Sequence, residues 1–200
     1  MRQLFTIGHS NHSLDRFLEL LTPFGISAIA DVRSSPYSKY SQQFNKDVLG
    51  NALSNVGIDY AFMGGELGAR RSESSCYVDD QAKYELIAQL PAFRRGIERV
   101  LEGIEHYIIA LMCSESDPIT CHRTILVCRE IKRICPDLQI THILGDGTEE
   151  RHDASEKRLV KLHKLQPELF GDLTSTLGLI ERAYNLQAEK IAYKKELIDA

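Results

Sequence analysis

The sequence predicts an α/β fold, a three-layer arrangement with a mostly parallel central sheet of about five strands flanked by helices, plus a helical C-terminal extension. Three observations carry this expectation. Short apolar runs that do not alternate recur along the chain, the pattern of strands covered on both faces. Each early run is followed by a loop of glycine, charged and hydroxyl residues and then by apolar residues at helical spacing. With 200 residues, 43% of them hydrophobic, the chain can bury one sizeable core. The expected organisation is an α/β domain over residues 1–150 and a helical extension over 151–200, packed on the domain or at a dimer interface.

Leu4 to Ile7 form the first strand, which ends in Gly8-His9-Ser10; Ser13 then caps a helix with Leu14, Phe17, Leu18 and Leu21 on one face. Gly25 ends that helix, and Ile26 to Val32 give a second strand that breaks at Asp31-Val32-Arg33-Ser34-Ser35-Pro36. Asp31 and Arg33 are two apart, so they point the same way: they bind a polar ligand together or neutralise each other. The segment YSKYSQQFN combines hydroxyls, aromatics and Lys39, a composition that suits a nucleotide as well as a solvated loop.

Asn45 caps a helix through Val56, and Ile58 to Met63 make a third strand running into Gly64-Gly65-Glu66-Leu67-Gly68-Ala69-Arg70-Arg71. Three glycines in five residues permit close backbone approach, yet they match neither a P-loop nor a dinucleotide fingerprint. Residues 71–80 read as a mobile surface loop containing Cys76. Asp79 to Leu90 and Pro91 to Gly103 read as one kinked or two consecutive helices.

The run entering Cys113 from Tyr107 is the fourth strand, followed by an acidic connector and by Cys121-His122-Arg123 at the start of a helix. Asp117 before Pro118 predicts an N-cap with proline at the first helical position, placing Thr120, Cys121 and His122 in the first turn. Unpaired N–H groups and the helix dipole favour a thiolate or a bound anion there, and Arg123 and His122 are neighbours that lower a thiol pKa. The bland alternative makes Cys113 and Cys121 small buried hydrophobes, with Arg123 paired to Glu115. Leu138 to Leu144 give a fifth strand with His142 inside it, ending in Gly145-Asp146-Gly147.

From Glu149 the chain turns charged, and RHDASEKRLVKLHK reads as an amphipathic helix whose basic face is more readily solvated than phosphate-binding. A last helix over about 173–195 carries Leu173, Leu177, Ile180, Tyr184, Ala188 and Ile191 as an apolar stripe, for the core or for a second copy in a homodimer. A net charge of −4 and a pI near 6.0 argue against coating nucleic acid by bulk electrostatics. The N-terminal apolar run is too short for a signal peptide, no stretch approaches membrane-spanning length, and five cysteines form no secreted framework. A cytoplasmic protein with reduced thiols is expected.

TIGHSN near the N-terminus, DVRSSP after the second strand, GGELGAR after the third and LMCSESDPITCHR around the fourth together resemble the family catalogued as domain of unknown function 488, over about residues 3–150. The resemblance implies an α/β fold with the four loops gathered along one sheet edge, and it implies no activity.

Three functional readings remain open. In the first, an enzyme uses Cys121 or Cys113 as nucleophile, His122 or His9 as proton carrier and Glu66 as a further catalytic group, with Ser10, Asp31, Arg33, Arg70 and Arg123 binding an anionic, phosphate- or nucleotide-containing substrate. The Cys-x5-Arg loop of a tyrosine phosphatase is absent. In the second, the same arginines, the 37–44 loop and the helix N-terminus bind a nucleotide or nucleic-acid end without turnover. In the third, Cys113, Cys121, His122 and His9 ligate zinc or iron, although their spacing is no standard zinc pattern.

Overall fold

A computed structural model describes residues 2–167 and 175–195. β1 (Gln3–Gly8) leads into α1 (Leu14–Leu21), which Ser13 caps by accepting the Arg16 N–H at 3.2 Å. β2 (Ala28–Asp31), α2 (Lys46–Asn55), β3 (Asp59–Phe62) and the single turn α3 (Gly64–Leu67) follow. A small hairpin of β4 (Tyr77–Val78) and β5 (Gln81–Ala82) precedes α4 (Tyr84–Gln89) and α5 (Pro91–Gly103), proline taking the first turn of the latter. β6 (Ile109–Cys113) is wholly buried; beyond it π-wound backbone over Arg123–Cys128 runs directly into α6 (Arg129–Ile134). β7 (Gln139–Ile143), β8 (Glu149–Arg151), α7 (His152–Leu162) and α8 (Thr176–Ile191) complete the described chain.

The main sheet has the order β3-β2-β6-β1-β7-β8, parallel throughout except for β8 at the edge. Its residues alternate between two cores. Phe5, Ile7, Ile29, Ala110 and Met112 meet Phe17, Leu20, Leu21, Leu49 and Leu53 from α1 and α2. On the other face Leu4, Ala30, Leu111, Cys113 and Ile140 meet residues of α5, the π-wound segment, α7 and α8. The three expected layers are therefore present, with six strands where about five were expected. Among the described residues no helix is long and apolar enough to cross a membrane.

Three local expectations are corrected. The helix expected from Arg151 begins one residue later, at His152, because Glu149–Arg151 is the antiparallel edge strand β8, whose charges suit an edge exposed to water. Residues 71–80 hold the buried Cys76 and half of the hairpin; Asp79 and Asp80 turn it at φ 50° and 58°, a two-residue turn that aspartate tolerates, so the helix expected from Asp79 begins at Tyr84. In the last helix, Leu173 lies outside the described residues and Leu177 is 75% exposed. Of the expected stripe, Tyr184 and Ala188 are buried and Ile180 and Ile191 are partly buried against the same core; Leu179, Ala183 and Gln187 join them, the Gln187 Nε2 donating to the Ile119 carbonyl at 2.7 Å.

Candidate functional site

β1, β2 and β6 finish level with one another, Gly8 beside Cys113 and Asp31 beside Met112. Their exit loops continue the ladder: His9 N–H donates to the Cys113 carbonyl at 2.8 Å and Ser10 N–H to that of Ser114 at 2.9 Å. A cleft of about 410 Å³ opens at this C-terminal edge, where parallel sheets place their sites. His9, Ser10, Arg33, Arg70, Cys113 and His122 all line it.

At and just beneath its floor Cys113, Glu115, Cys121 and His122 each offer one ligand atom, all within 4.8 Å of one another, Cys121 being the one that does not line the cleft itself. Cys113 is the last residue of β6, and Glu115 two positions on returns to the same side. Asp117 then caps a short 3-10 turn over Pro118–Thr120, accepting the Ile119 N–H at 3.1 Å while Arg158 clamps its carboxylate at 2.7 and 2.9 Å. That turn ends before the helix begins, which corrects the expectation that Cys121 sits within the first helical turn. Cys121 is extended and occupies the cap: its carbonyl accepts the Thr124 and Ile125 N–H groups, both at 3.1 Å, and its sulfur the Arg123 N–H at 3.5 Å.

The Cys121 and Cys113 sulfurs lie 2.8 and 3.2 Å from Glu115 Oε2, and Cys113 Sγ is 3.6 Å from His122 Nδ1. Burial pushes the Cys121 thiol up, but a hydrogen bond from Cys113 and the cations Arg123 and His122 outweigh it and hold that thiol well below the ordinary cysteine range. Cys113 is held well above it by the same hydrogen bond, by burial and by its negative neighbours. Burial also raises Glu115, reinforced by Cys121; for His122 burial works downward, and the Cys121 thiolate reverses it. Four proton-binding groups packed this closely perturb one another strongly, a constellation that a bound cation relieves.

Buried hydrogen bonds hold the floor in place. His122 Nε2–H donates to the Val32 carbonyl at 2.9 Å. Arg123 is fully buried, and its guanidinium is spent on the Glu115 and Ser116 carbonyls at 2.5 and 3.2 Å and on Thr6 Oγ1 at 3.3 Å. From Thr6 a chain continues through His142 (2.8 Å), His152 (3.1 Å) and the Tyr184 hydroxyl (2.9 Å) to Glu156 (3.1 Å). With a guanidinium at one end and a carboxylate at the other, every link runs in one direction: each histidine donates from Nε2 and accepts at Nδ1. Burial lowers both histidines, His152 to about 4, so both are neutral as this chain requires.

Other residues expected at a site have different work. Asp31 and Arg33 form a buried two-point ion pair at 2.9 and 2.6 Å; Tyr60 donates to Asp31 at 2.7 Å and Arg33 donates to the Phe44 carbonyl at 2.8 Å, so Arg33 reaches the cleft wall with its charge already neutralised. His9 stacks on Phe44, donates from Nδ1 to the Ser10 carbonyl at 2.9 Å and lies 3.4 Å from Arg33; burial lowers it to about 4, and it is not among the four converging donors. Glu66 does not line the cleft and pairs with Arg99 at 2.9 Å. Arg123, expected to bind ligand, is a buried brace. Arg70 reaches the cleft with its guanidinium over the Tyr193 ring at 4.9 Å. Glu115 as a fourth donor, the Tyr60 contact, the histidine chain and Tyr193 were all missed. Only Glu115 had a local signal, since Cys-x-Glu leaving a strand points both side chains one way.

No curated protein and no solved structure matches the chain. The family model described as a domain of unknown function, DUF488, matches residues 13–129, a segment that holds β2, β3, β6 and all four floor donors. That match spans more than half of the 200 residues, and the chain belongs to the DUF488 family.

Proposed function

We propose that Cys113, Glu115, Cys121 and His122 hold one divalent metal ion, and that this centre is the chemical group of a cytoplasmic enzyme acting on a small anionic substrate in the cleft above it. The observation that carries this reading is the convergence of four donor atoms within 4.8 Å. Tetrahedral zinc with bonds of about 2.0–2.3 Å requires donors roughly 3.3–3.8 Å apart, close to the 2.8, 3.2 and 3.6 Å separations between donors that share protons. Two thiolates and an imidazole favour zinc over iron, because ferrous iron binds such donors less tightly. Three of the donors are buried and the fourth, Glu115, sits on an exposed position, the arrangement of a centre with one exchangeable ligand. A metal held there supplies a Lewis acid, or a bound water of lowered pKa.

The lowered Cys121 thiol favours a second reading, a metal-free thiol enzyme. Its weakness is access: Cys121 is 1% exposed and does not line the cleft. One experiment separates the two. The full chain is purified, its metal content measured, and the stripped protein titrated with zinc and with cobalt. One ion per chain, with sulfur-to-cobalt charge-transfer absorption that weakens in Cys121→Ser and in Cys113→Ser, supports the metal centre. A chain that takes up no more zinc than the serine variants, and whose Cys121 is alkylated rapidly, would transfer the assignment to the thiol.

A further inference from the structure

We propose that Arg70, Ser34 and Ser38 form an oxyanion subsite in the outer half of the cleft, which takes the phosphoryl group of a small phosphomonoester. That the other end of such a molecule meets the metal rests on the reading above; the subsite itself does not.

Arg70 differs from the chain's other arginines around this edge. Arg33, Arg71 and Arg99 are each committed to a carboxylate at 2.6–2.9 Å, whereas among the described residues no carboxylate pairs with Arg70. Its guanidinium lies over the Tyr193 ring, 4.9 Å from the centroid, which supports one face and leaves the edge N–H groups to a ligand. Tyr193 is itself fixed: its carbonyl accepts the Ala82 N–H at 2.9 Å, and Lys195 N–H donates to the Asp80 carbonyl at 2.9 Å, so the segment after α8 is pinned along the small hairpin. This wall of the cleft comes from outside the stretch that matches the family.

The serines face the same space with their hydroxyl protons uncommitted. Ser34 Oγ already accepts the Arg70 N–H at 2.9 Å, and Ser38 Oγ accepts the Tyr40 and Ser41 N–H groups at 3.1 and 3.2 Å. Both acceptor positions of Ser38 are used by backbone, so its hydroxyl is turned to donate, and Ser34, which accepts one backbone N–H, also keeps its proton for a ligand. A guanidinium fork and two hydroxyl donors outnumber what a carboxylate's two oxygens use best and suit the three terminal oxygens of a phosphoryl group. Among the described residues Glu115 is the sole carboxylate lining this cleft, and it is engaged by the thiols. Ser10, which lines the same cleft, is held at φ 48°, a conformation non-glycine residues rarely adopt, as is common at ligand-binding edges.

The test is calorimetric titration of inorganic phosphate and of phenyl phosphate into the full chain, once stripped with chelator and once loaded with zinc. Both anions are expected to bind the stripped chain, and Arg70→Ala to weaken them about tenfold or more without changing zinc content. Tyr193→Leu, which removes the stack but keeps the cation, is expected to give a smaller loss and serves if Arg70→Ala fails to fold. Equal affinity in wild type and Arg70→Ala would overturn the subsite, and so would binding that appears only with zinc, since the metal alone would then hold the anion. A chain that takes no zinc sinks the metal centre and leaves this comparison readable.

Discussion

His122 and Val32 are joined by a 2.9 Å hydrogen bond in which the ring Nε2–H donates to a backbone carbonyl two residues upstream of the cleft-lining Ser34. A carbonyl cannot donate, so the bond fixes the proton on Nε2 and turns Nδ1 toward Cys113, 3.6 Å away. Histidines that ligate metals are oriented by this kind of partner. In the zinc-loaded chain the His122 ring is expected to show the Nε2–H tautomer by nitrogen-detected NMR, with the Nδ1 resonance moving on metal addition. A His122 whose Nδ1 signal ignores zinc while the protein binds it would remove this residue from the centre.

The Asp31–Arg33 pair predicts a stability effect rather than a ligand effect. Arg33→Ala leaves a buried carboxylate with only the Tyr60 hydroxyl and the residue 33 N–H, and breaking such a pair from one side costs about 3–5 kcal/mol. Denaturant unfolding of the variant should show a loss of that size. A protein of unchanged stability that no longer binds phosphate would make Arg33 a ligand contact instead.

Much of the fold was legible because buried parallel strands announce themselves as unbroken apolar runs, and glycine with charge marks where each run meets the surface. The strands that escaped detection, β8 and the hairpin pair, are two or three residues long and held by backbone pairing, which leaves no side-chain period to read. The site divides the same way. Cys113, Cys121 and His122 stood out by residue type and position after a strand, whereas whether Asp31, Arg33 and Arg123 face a ligand or each other depends on packing between β2, β6 and the segment after Pro118. His142, His152 and Tyr184 sit on three separate elements, and nothing local connects them.

The histidine chain predicts a pH dependence. His152 has a folded pKa of about 4 against an ordinary value of 6.5, set chiefly by burial and then by Lys132, so the unfolded chain binds its proton first. Its contribution is complete above about pH 6.5 and is lost as pH falls toward and through 4, a total on the order of 3 kcal/mol from the shift of 6.5 to about 4. His152→Gln can still accept from His142 and donate to Tyr184, but it does not titrate. Unfolding free energies between pH 7 and 4.5 should therefore fall less steeply in the variant, and parallel slopes would show that His152 is not buried as a neutral ring.

Tyr184 ties α8 to this chain, accepting from His152 at 2.9 Å while donating to Glu156 at 3.1 Å. Tyr184→Phe keeps the apolar packing and orphans a buried His152 N–H, which should cost about 1–3 kcal/mol. Truncation at Phe170 removes the whole inward face of α8 and should lower the melting temperature more than the point variant does. If the truncated chain melts as the full one does, α8 contributes nothing to the domain it covers.

At Gly8 sequence, packing and site meet. A Cβ at this position would lie 1.9 Å from the Glu115 carbonyl oxygen and 2.7 Å from its carbonyl carbon, backbone atoms with no flexible end to move aside. The same oxygen accepts the buried Arg123 guanidinium at 2.5 Å, and the Glu115 side chain is a donor of the floor cluster. One added methyl must therefore shift the loop that carries Glu115, loosen the brace under Cys121 and spread the four donors apart. Gly8→Ala is expected to weaken zinc binding well beyond any change in the phosphate affinity of the stripped chain, and to destabilise the fold by a few kcal/mol, as overpacking does. Gly65→Ala is the matching control: Gly65 lies in a helical turn where an added Cβ would meet no atom within 4 Å, so the change should leave both properties near wild type. Zinc titration and denaturant unfolding of the two variants side by side decide the matter. Equal zinc affinity in Gly8→Ala and Gly65→Ala would mean that the Glu115 loop is free to move without consequence, and Glu115 would have to be dropped from the metal centre.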